Sequence, residues 1–543
     1  MTSPQAAEPR VPGWRRSGWW LAPVAVGILL YLPTIGGDWT MDDDVAVRGH
    51  PVVTGAAPLS EAFLREFWGR PLAEGWSSSY RPLATLSWAL EARLAPGPWL
   101  HRLGGVLAYA ALCAAVAALA RALAGVRAAW VAGLAFAVAP VHADNVASIV
   151  GRADVLAALA GLGSFSASRR AAAAAMAGDR RLAWALGAGA ALAFWAALLC
   201  KETVALLPAL TGWWLWIELR GRPGRGAAWS AAVAPVAIAG AAYLAARQLL
   251  LPVGLPATFV AADNILLDLP LAERLQLRTA LAGEAIGQLG AGMRLCSDHT
   301  YADLLVPVLP WGQGAAGFFV GAVALVAGLW DGLLALRGRS RGMWFAALLA
   351  YALVGQWVID LSVLAAERLL LWPSVWLAVA FGVAFAETPA LRRGWVPVAS
   401  LGAWIAIMAA VAYDHGQDWT DRVRLHQRSV DRCPAAVHNR LNLAQELSAR
   451  GDVPAALWHF AVAAAGKQAY PARWAPPAFD EEQTGIRSSS LQNLPAMVGA
   501  ADPAAWWRGL HGMLQRSGHP AEADLARGLA EGVEPRPEPV PTR

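Results

Sequence analysis

The stretch WWLAPVAVGILLYLPTI (residues 19–35), followed by GGDWTMDDD (residues 36–44), sets the class of fold. Seventeen residues without a charge follow Arg10, Arg15 and Arg16, and three consecutive aspartates stand a few residues beyond them, at 42–44. A bilayer core needs roughly 20 apolar residues per helix, so this block reads as a first membrane span. A signal peptide has the same flanks. Gly36-Gly37-Asp38-Trp39 is a poor cleavage site, which favours an uncleaved helix with its N-terminus in the cytoplasm.

The same pattern runs down the chain. Of 543 residues, 57% are hydrophobic and only 15% charged, well below the quarter or so of an ordinary soluble domain. Mean hydropathy is +0.41. Disorder, collagen and a small disulfide scaffold are excluded, and a purely soluble enzyme is not expected. Further apolar blocks lie at about 103–120, 128–141, 154–168, 182–199, 203–219, 227–250, 312–336, 343–364, 369–386 and 395–413, giving eleven spans. The expected class is an all-α polytopic membrane protein.

The net charge of +5 does not point to nucleic acid, because the basic residues sit between the apolar blocks. Counting crossings, the inner loops hold Arg121 and Arg127; Arg169, Arg170, Arg180 and Arg181; Arg220, Arg222 and Arg225; Arg337, Arg339 and Arg341; then Arg392 and Arg393. That is the charge asymmetry of cytoplasmic loops. The outer side receives residues 36–99, a long loop 251–311 with an interfacial or re-entrant helix near 271–295, and the C-terminal region 414–531. The latter carries Leu443, Ala444, Gly451, Ala456, Phe460 and Ala463 at the spacing of one tetratricopeptide unit. Residues 1–18 read as a cytoplasmic tail, and 532–543 as disordered. Of four cysteines, Cys113 and Cys200 read as small hydrophobes in spans. A Cys296–Cys433 disulfide would require both to face an oxidising compartment, which sequence leaves open.

The informative residues are ionisable groups at outer span ends, where charge is expensive unless paired or wetted. Asp42, Asp43 and Asp44 form either a solvated acidic loop or a general base for an acceptor hydroxyl. Arg81 in Ser79-Tyr80-Arg81-Pro82 suits a phosphate, or snorkels to head groups. His142, Asp144, Arg152 and Asp154 lie in one tight connection. They read equally as substrate contacts or as a capping network with Asn145 and Asp154 as caps. Lys201-Glu202 and Glu367-Arg368 are opposite charges in sequence that do not face each other on a helix, so each needs a partner elsewhere. No pattern suggests a divalent metal.

In order, Met41-Asp42-Asp43 with Ala46-Val47, Tyr80-Arg81-Pro82-Leu83, Ala139 to Asp154, Lys201-Glu202, Ala262-Asp263-Asn264 with Ser297-Asp298, and Ala366-Glu367-Arg368-Leu369-Leu370 with Pro373-Ser374 resemble the transmembrane and tetratricopeptide O-mannosyltransferases. The resemblance covers about residues 36–465. It implies a GT-C-type glycosyltransferase domain at 19–413, related to the protein O-mannosyltransferases. The donor would be a polyprenyl-phosphate sugar, mannose or another hexose, and the acceptor a hydroxyl on exported protein or glycan. Asp42 would be catalytic with Asp43 as its partner, inverting the anomeric centre. Arg81, His142, Asp144, Arg152, Asp154, Lys201, Glu202, Glu367 and Arg368 would meet the substrate or lipid phosphate. The repeat region is shorter than in relatives. The expected setting is a multi-pass protein of a bacterial inner membrane, with active site and C-terminus extracytoplasmic and no cofactor beyond the lipid-linked donor. The alternatives are a transporter or flippase and a non-catalytic membrane scaffold.

Overall fold

A computed structural model of the chain describes residues 18–74, 79–251, 269–297, 315–361, 363–433, 436–452, 503–516 and 520–532, with a few single positions besides. Nearly all of the expected tails and part of the predicted repeat, including Phe460 and Ala463, lie outside the described residues. Among the described residues the fold is helical, with one isolated bridge between Arg65 and Pro71 and no named strand.

The principal helices are α1 (Leu21–Tyr31), α2 (Pro82–Ala92), α3 (Trp99–Ala137), α4 (Arg152–Met176), α5 (Arg180–Cys200), α6 (Leu207–Glu218), α7 (Arg225–Leu250) and α8 (Leu271–Ala291). They continue with α9 (Ala315–Leu336), α10 (Met343–Val354), α11 (Leu371–Glu387), α12 (Trp395–Asp418), α13 (Arg422–Arg432), α14 (Val437–Ala449), α15 (Pro503–Arg516) and α16 (Pro520–Ala530). Most of the expected spans overlap a helix, but the block 343–364 is helical only as far as Val354. By length and hydropathy, six stretches qualify as spans: α3, α5, α7, α9, Glu367–Glu387 and α12. Counting Pro140–Ala147 and Arg152–Met176, bent by 105°, as one span makes seven; Leu21–Gly36 and α10 are shorter apolar helices.

α3 is a hairpin rather than one rod. Ala124 and Gly125 leave helical geometry, Gly125 at φ +82°, a conformation glycine adopts without a Cβ penalty. In a straight helix Tyr109 and Phe136 would stand about 40 Å apart; their ring centroids are 5.7 Å apart. Spans two and three of the sequence reading are therefore its two arms.

Lipid is as apolar as leucine, so helices in a bilayer associate through close packing more than through hydrophobic expulsion. The interior suits that: Ala-rich seams from α3, α4, α5 and α11 are buried around Phe165, Phe194, Trp372 and Trp376. One side of α9 leaves Val323, Val326 and Trp330 exposed. α8, the expected interfacial helix, ties to the segment after α10 through Arg278–Asp360 at 2.6 Å.

The loop between α1 and α3 has a small core of its own. Val47, Val52, Phe67 and Trp88 bury against Ile149 and Ala153, at the connection before α4. This packing brings two regions about a hundred residues apart onto one surface. Cys296 and Cys433, 137 positions apart, are joined by a disulfide. α14, and the pair α15 and α16, supply the helical C-terminal region.

Candidate active site

The three aspartates have different surroundings. Met41 turns the chain through φ +45°, a strained conformation for a side chain of that size. Asp43 then points inward and is fully buried. Its Oδ2 accepts from the Thr40 amide at 3.0 Å and the Thr40 hydroxyl at 3.3 Å. Its Oδ1 accepts from the Val150 amide at 3.1 Å. Burial raises its pKa from 3.8 to about 6, against the lowering by these amides and by Arg102. Asp44 lies in an ion pair with Arg422 and meets Arg48 at 3.4 Å. Asp42, which precedes both, is partly exposed.

The second connection is not the self-capping turn that one reading of the sequence allowed. The N-cap of α4 is Gly151, with no side-chain cap. Asp154 lies in the first turn and accepts from Lys201 Nζ at 2.5 Å and from Thr203 Oγ1 at 3.4 Å. Asn145 donates to the Arg368 carbonyl at 3.0 Å. His142 is fully buried, 2.8 Å from both the Tyr109 hydroxyl and the Ser374 hydroxyl. The structure thus places His142 among buried side chains of the helix core. Arg152 turns to Glu91, with Nη2 donating at 2.7 Å. A Cβ on Gly104 would stand 2.1 Å from the Glu91 carboxylate, so glycine there makes room for the pair.

A cationic patch forms where the first loop meets the later connections. Burial pushes the Lys201 ammonium down, Asp154 pulls it up, and the positive charges of Arg81 and Arg368 push it down again, for a net lowering. Burial alone would raise Glu202, but Arg81, Arg247 and Lys201 outweigh it and hold the carboxyl low. Arg81 packs 4.3 Å over the Phe67 ring, and its buried Nε has no hydrogen-bond partner. Arg368 meets Asp144 at 3.4 Å. The structure therefore groups Arg81, Asp144, Asp154, Lys201, Glu202 and Arg368. Glu367 turns the other way: fully buried, it lies 2.7 Å from His415.

Several charged residues escaped the sequence reading. Arg102, almost wholly buried, donates to the carbonyls of Asp38, of Ala147 at 2.5 Å and of Trp419 at 2.9 Å. It fastens the loop after α1 and the connection before α4 to the end of α12. Glu91 also meets His101 at 2.8 Å, and Asp418 meets Arg432 at 2.6 Å. The signal was present. His101-Arg102 and His415 to Asp418 stand at outer ends of apolar blocks, the same criterion that selected Lys201. Among the described residues no group of three or more His, Cys, Asp and Glu is placed to hold a metal.

Comparison with known proteins bears on this arrangement. The Drosophila melanogaster protein O-mannosyl-transferase Tmtc2 is 37% identical over 205 residues, 37% of this chain and 22% of its own. The Xenopus laevis protein O-mannosyl-transferase tmtc2 is 40% identical over 135 residues, 24% and 16% of the two chains. The Drosophila melanogaster protein O-mannosyl-transferase Tmtc1 is 35% identical over 192 residues, 35% and 21%. The chain is similar to TMTC-type protein O-mannosyl-transferases. The matched part spans about a fifth of the length of these relatives. No family model matches the chain, and no solved structure matches it.

Proposed function

We propose that this chain is a membrane glycosyltransferase that moves a hexose, mannose by analogy with its relatives' names, from a polyprenyl phosphate to a Ser or Thr hydroxyl of an exported protein. The observation that carries the reading is the gathering of Arg81, Lys201 and Arg368 near the loop of the aspartates. Arg81 and Arg368 each act on Lys201; with Arg247 beside Glu202 the group holds four cations against Asp144, Asp154 and Glu202, and the arginine forks suit a phosphate. The loop and patch are linked by contact: Asp43 holds Val150, and Asp154, in the first turn of the following helix, holds Lys201.

In this reading Asp42 is the base. Asp43 is engaged by backbone and Asp44 by arginine, so both serve the loop's shape, while the resemblance assigns Asp42 the proton transfer. Its carboxylate takes the proton of the acceptor hydroxyl as the oxygen attacks the anomeric carbon. The bond from that carbon to the phosphate oxygen breaks, and the patch offsets the charge left on the lipid phosphate. A single displacement inverts the configuration. Arg152 and His142 act as framework.

The proposed layout has eleven spans, with the aspartates and C-terminal helices on the extracytoplasmic face of a bacterial inner membrane. The C-terminal region is a short tetratricopeptide-like appendage. A disulfide between two segments assigned to that face supports the topology, since such bonds persist in oxidising compartments. The test is transfer of labelled mannose from a polyprenyl phosphate to a Ser/Thr-rich peptide in membranes holding the full chain. Transfer by the wild type and its loss in Asp42→Asn is the expected result; full activity in that variant would overturn the assignment.

A further inference from the structure

Glu367 and Arg368 are adjacent but face opposite ways. Arg368 looks into the cationic patch. Glu367 looks into a buried chain that begins at His415 Nε2, 2.7 Å from Glu367 Oε2. His415 Nδ1 faces Asp418 Oδ2 at 3.1 Å and Arg432 Nη1 at 2.8 Å. Arg432 also donates to Asp418 at 2.6 Å, and Arg428 reaches the other Asp418 oxygen at 3.3 Å. Glu367, His415 and Asp418 are each 1% exposed or less.

Stability does not explain such a set. A buried ionic network is no better for stability than apolar groups of the same volume, and is costly when broken. What it supplies is geometry. The network joins the end of α12, α13 and the turn carrying Arg368. A second brace reaches the same turn. Arg368 Nη1 donates to the Ser297 carbonyl at 3.5 Å, and the Ser297 hydroxyl donates to Asn439 at 2.8 Å. Cys296, beside Ser297, is bonded to Cys433, beside Arg432.

We propose that His415 is a positioning residue for Arg368: through Glu367 it fixes the turn that aims the guanidinium at an anionic lipid head group, and so couples the C-terminal helix α13 to the donor site. The proposal rests on the donor reading above. It is tested by binding, so that its failure and the failure of the enzyme reading are separable. The full chain in detergent is titrated with a polyprenyl phosphate and, as control, with the uncharged polyprenol. His415→Gln is expected to lose about tenfold affinity for the phosphate, within the range of residues coupled in one network, and little for the alcohol. The loss should vanish in an Arg368→Ala background. Should His415→Gln not fold, Glu367→Gln takes its place in the same cycle, because it keeps the side chain's size while weakening the charge-assisted bond to His415. Additive losses, equal losses for phosphate and alcohol, or no loss would each overturn the proposal. Absence of sugar transfer by the wild type would instead strike the enzyme reading and leave the binding cycle valid.

Discussion

Asp43 and Val150, 107 positions apart, are joined by a 3.1 Å hydrogen bond from the Val150 amide to Asp43 Oδ1. A carboxylate in an acidic triplet thus serves as a backbone latch between the loop after α1 and the connection before α4. It separates the roles of three residues that composition alone makes equivalent.

The first prediction concerns that separation. Asp42→Asn should lower transfer by about 10²-fold or more, the usual scale for a lost general base, with an unchanged melting temperature. Asp43→Asn should instead cost stability of about 1–3 kcal/mol, because an amide cannot accept at both of its ends. Thermal unfolding of the detergent-solubilised chain beside a transfer assay separates the two. A destabilised Asp42→Asn with normal turnover would reverse the assignment.

The second concerns pH. Burial raises the Asp43 pKa from 3.8 to about 6, so the folded protein holds that proton more tightly than the unfolded chain. The contribution is fully present below about pH 4 and is lost as pH rises through about 6. Asn at this position does not titrate. The melting-temperature advantage of wild type over Asp43→Asn should therefore widen from pH 7 to pH 5; a constant or narrowing gap would contradict the burial-driven shift.

The third addresses the Lys201–Asp154 pair, whose ammonium and carboxylate are 2.5 Å apart and buried. Removing Lys201 alone leaves a stranded charge and should cost about 3–5 kcal/mol. The double variant Lys201→Met with Asp154→Leu should recover most of that stability without recovering transfer. Recovery of both would mean that Lys201 has no part beyond the pair.

The fourth addresses the crosslink. Cys296→Ser or Cys433→Ser should change mobility on a non-reducing gel and cost about 2–5 kcal/mol. Cys113 and Cys200 are buried and should resist maleimide until the chain is denatured. Rapid labelling of either thiol in the folded protein would contradict that burial.

Much of the membrane layout was legible because it depends on local composition. Most apolar blocks overlap a helix, though 343–364 leaves it after Val354, and even the turn at Ala124–Gly125 lies between two expected spans. The argument that Lys201-Glu202 and Glu367-Arg368 need separate partners also follows from helix geometry alone, and the structure supplies those partners: Asp154 for Lys201 and His415 for Glu367. What stayed hidden was who the partners are. Arg102, His415 and Asp418 satisfied the same positional criterion but carried no neighbouring motif to draw attention to them, and Glu91 lies inside the first loop, away from any block end.

By itself the sequence determined that this chain is helical, apolar in blocks and charged at the ends of those blocks, because hydropathy and chain polarity are properties of short windows. Only the tertiary structure decided that His142 belongs to the core, that Arg152 answers Glu91, and that Asp43 is a latch. Those assignments depend on which side chains meet across tens or hundreds of residues. A short window contains the charge but not its partner, and in a medium poor in water the partner decides what the charge does.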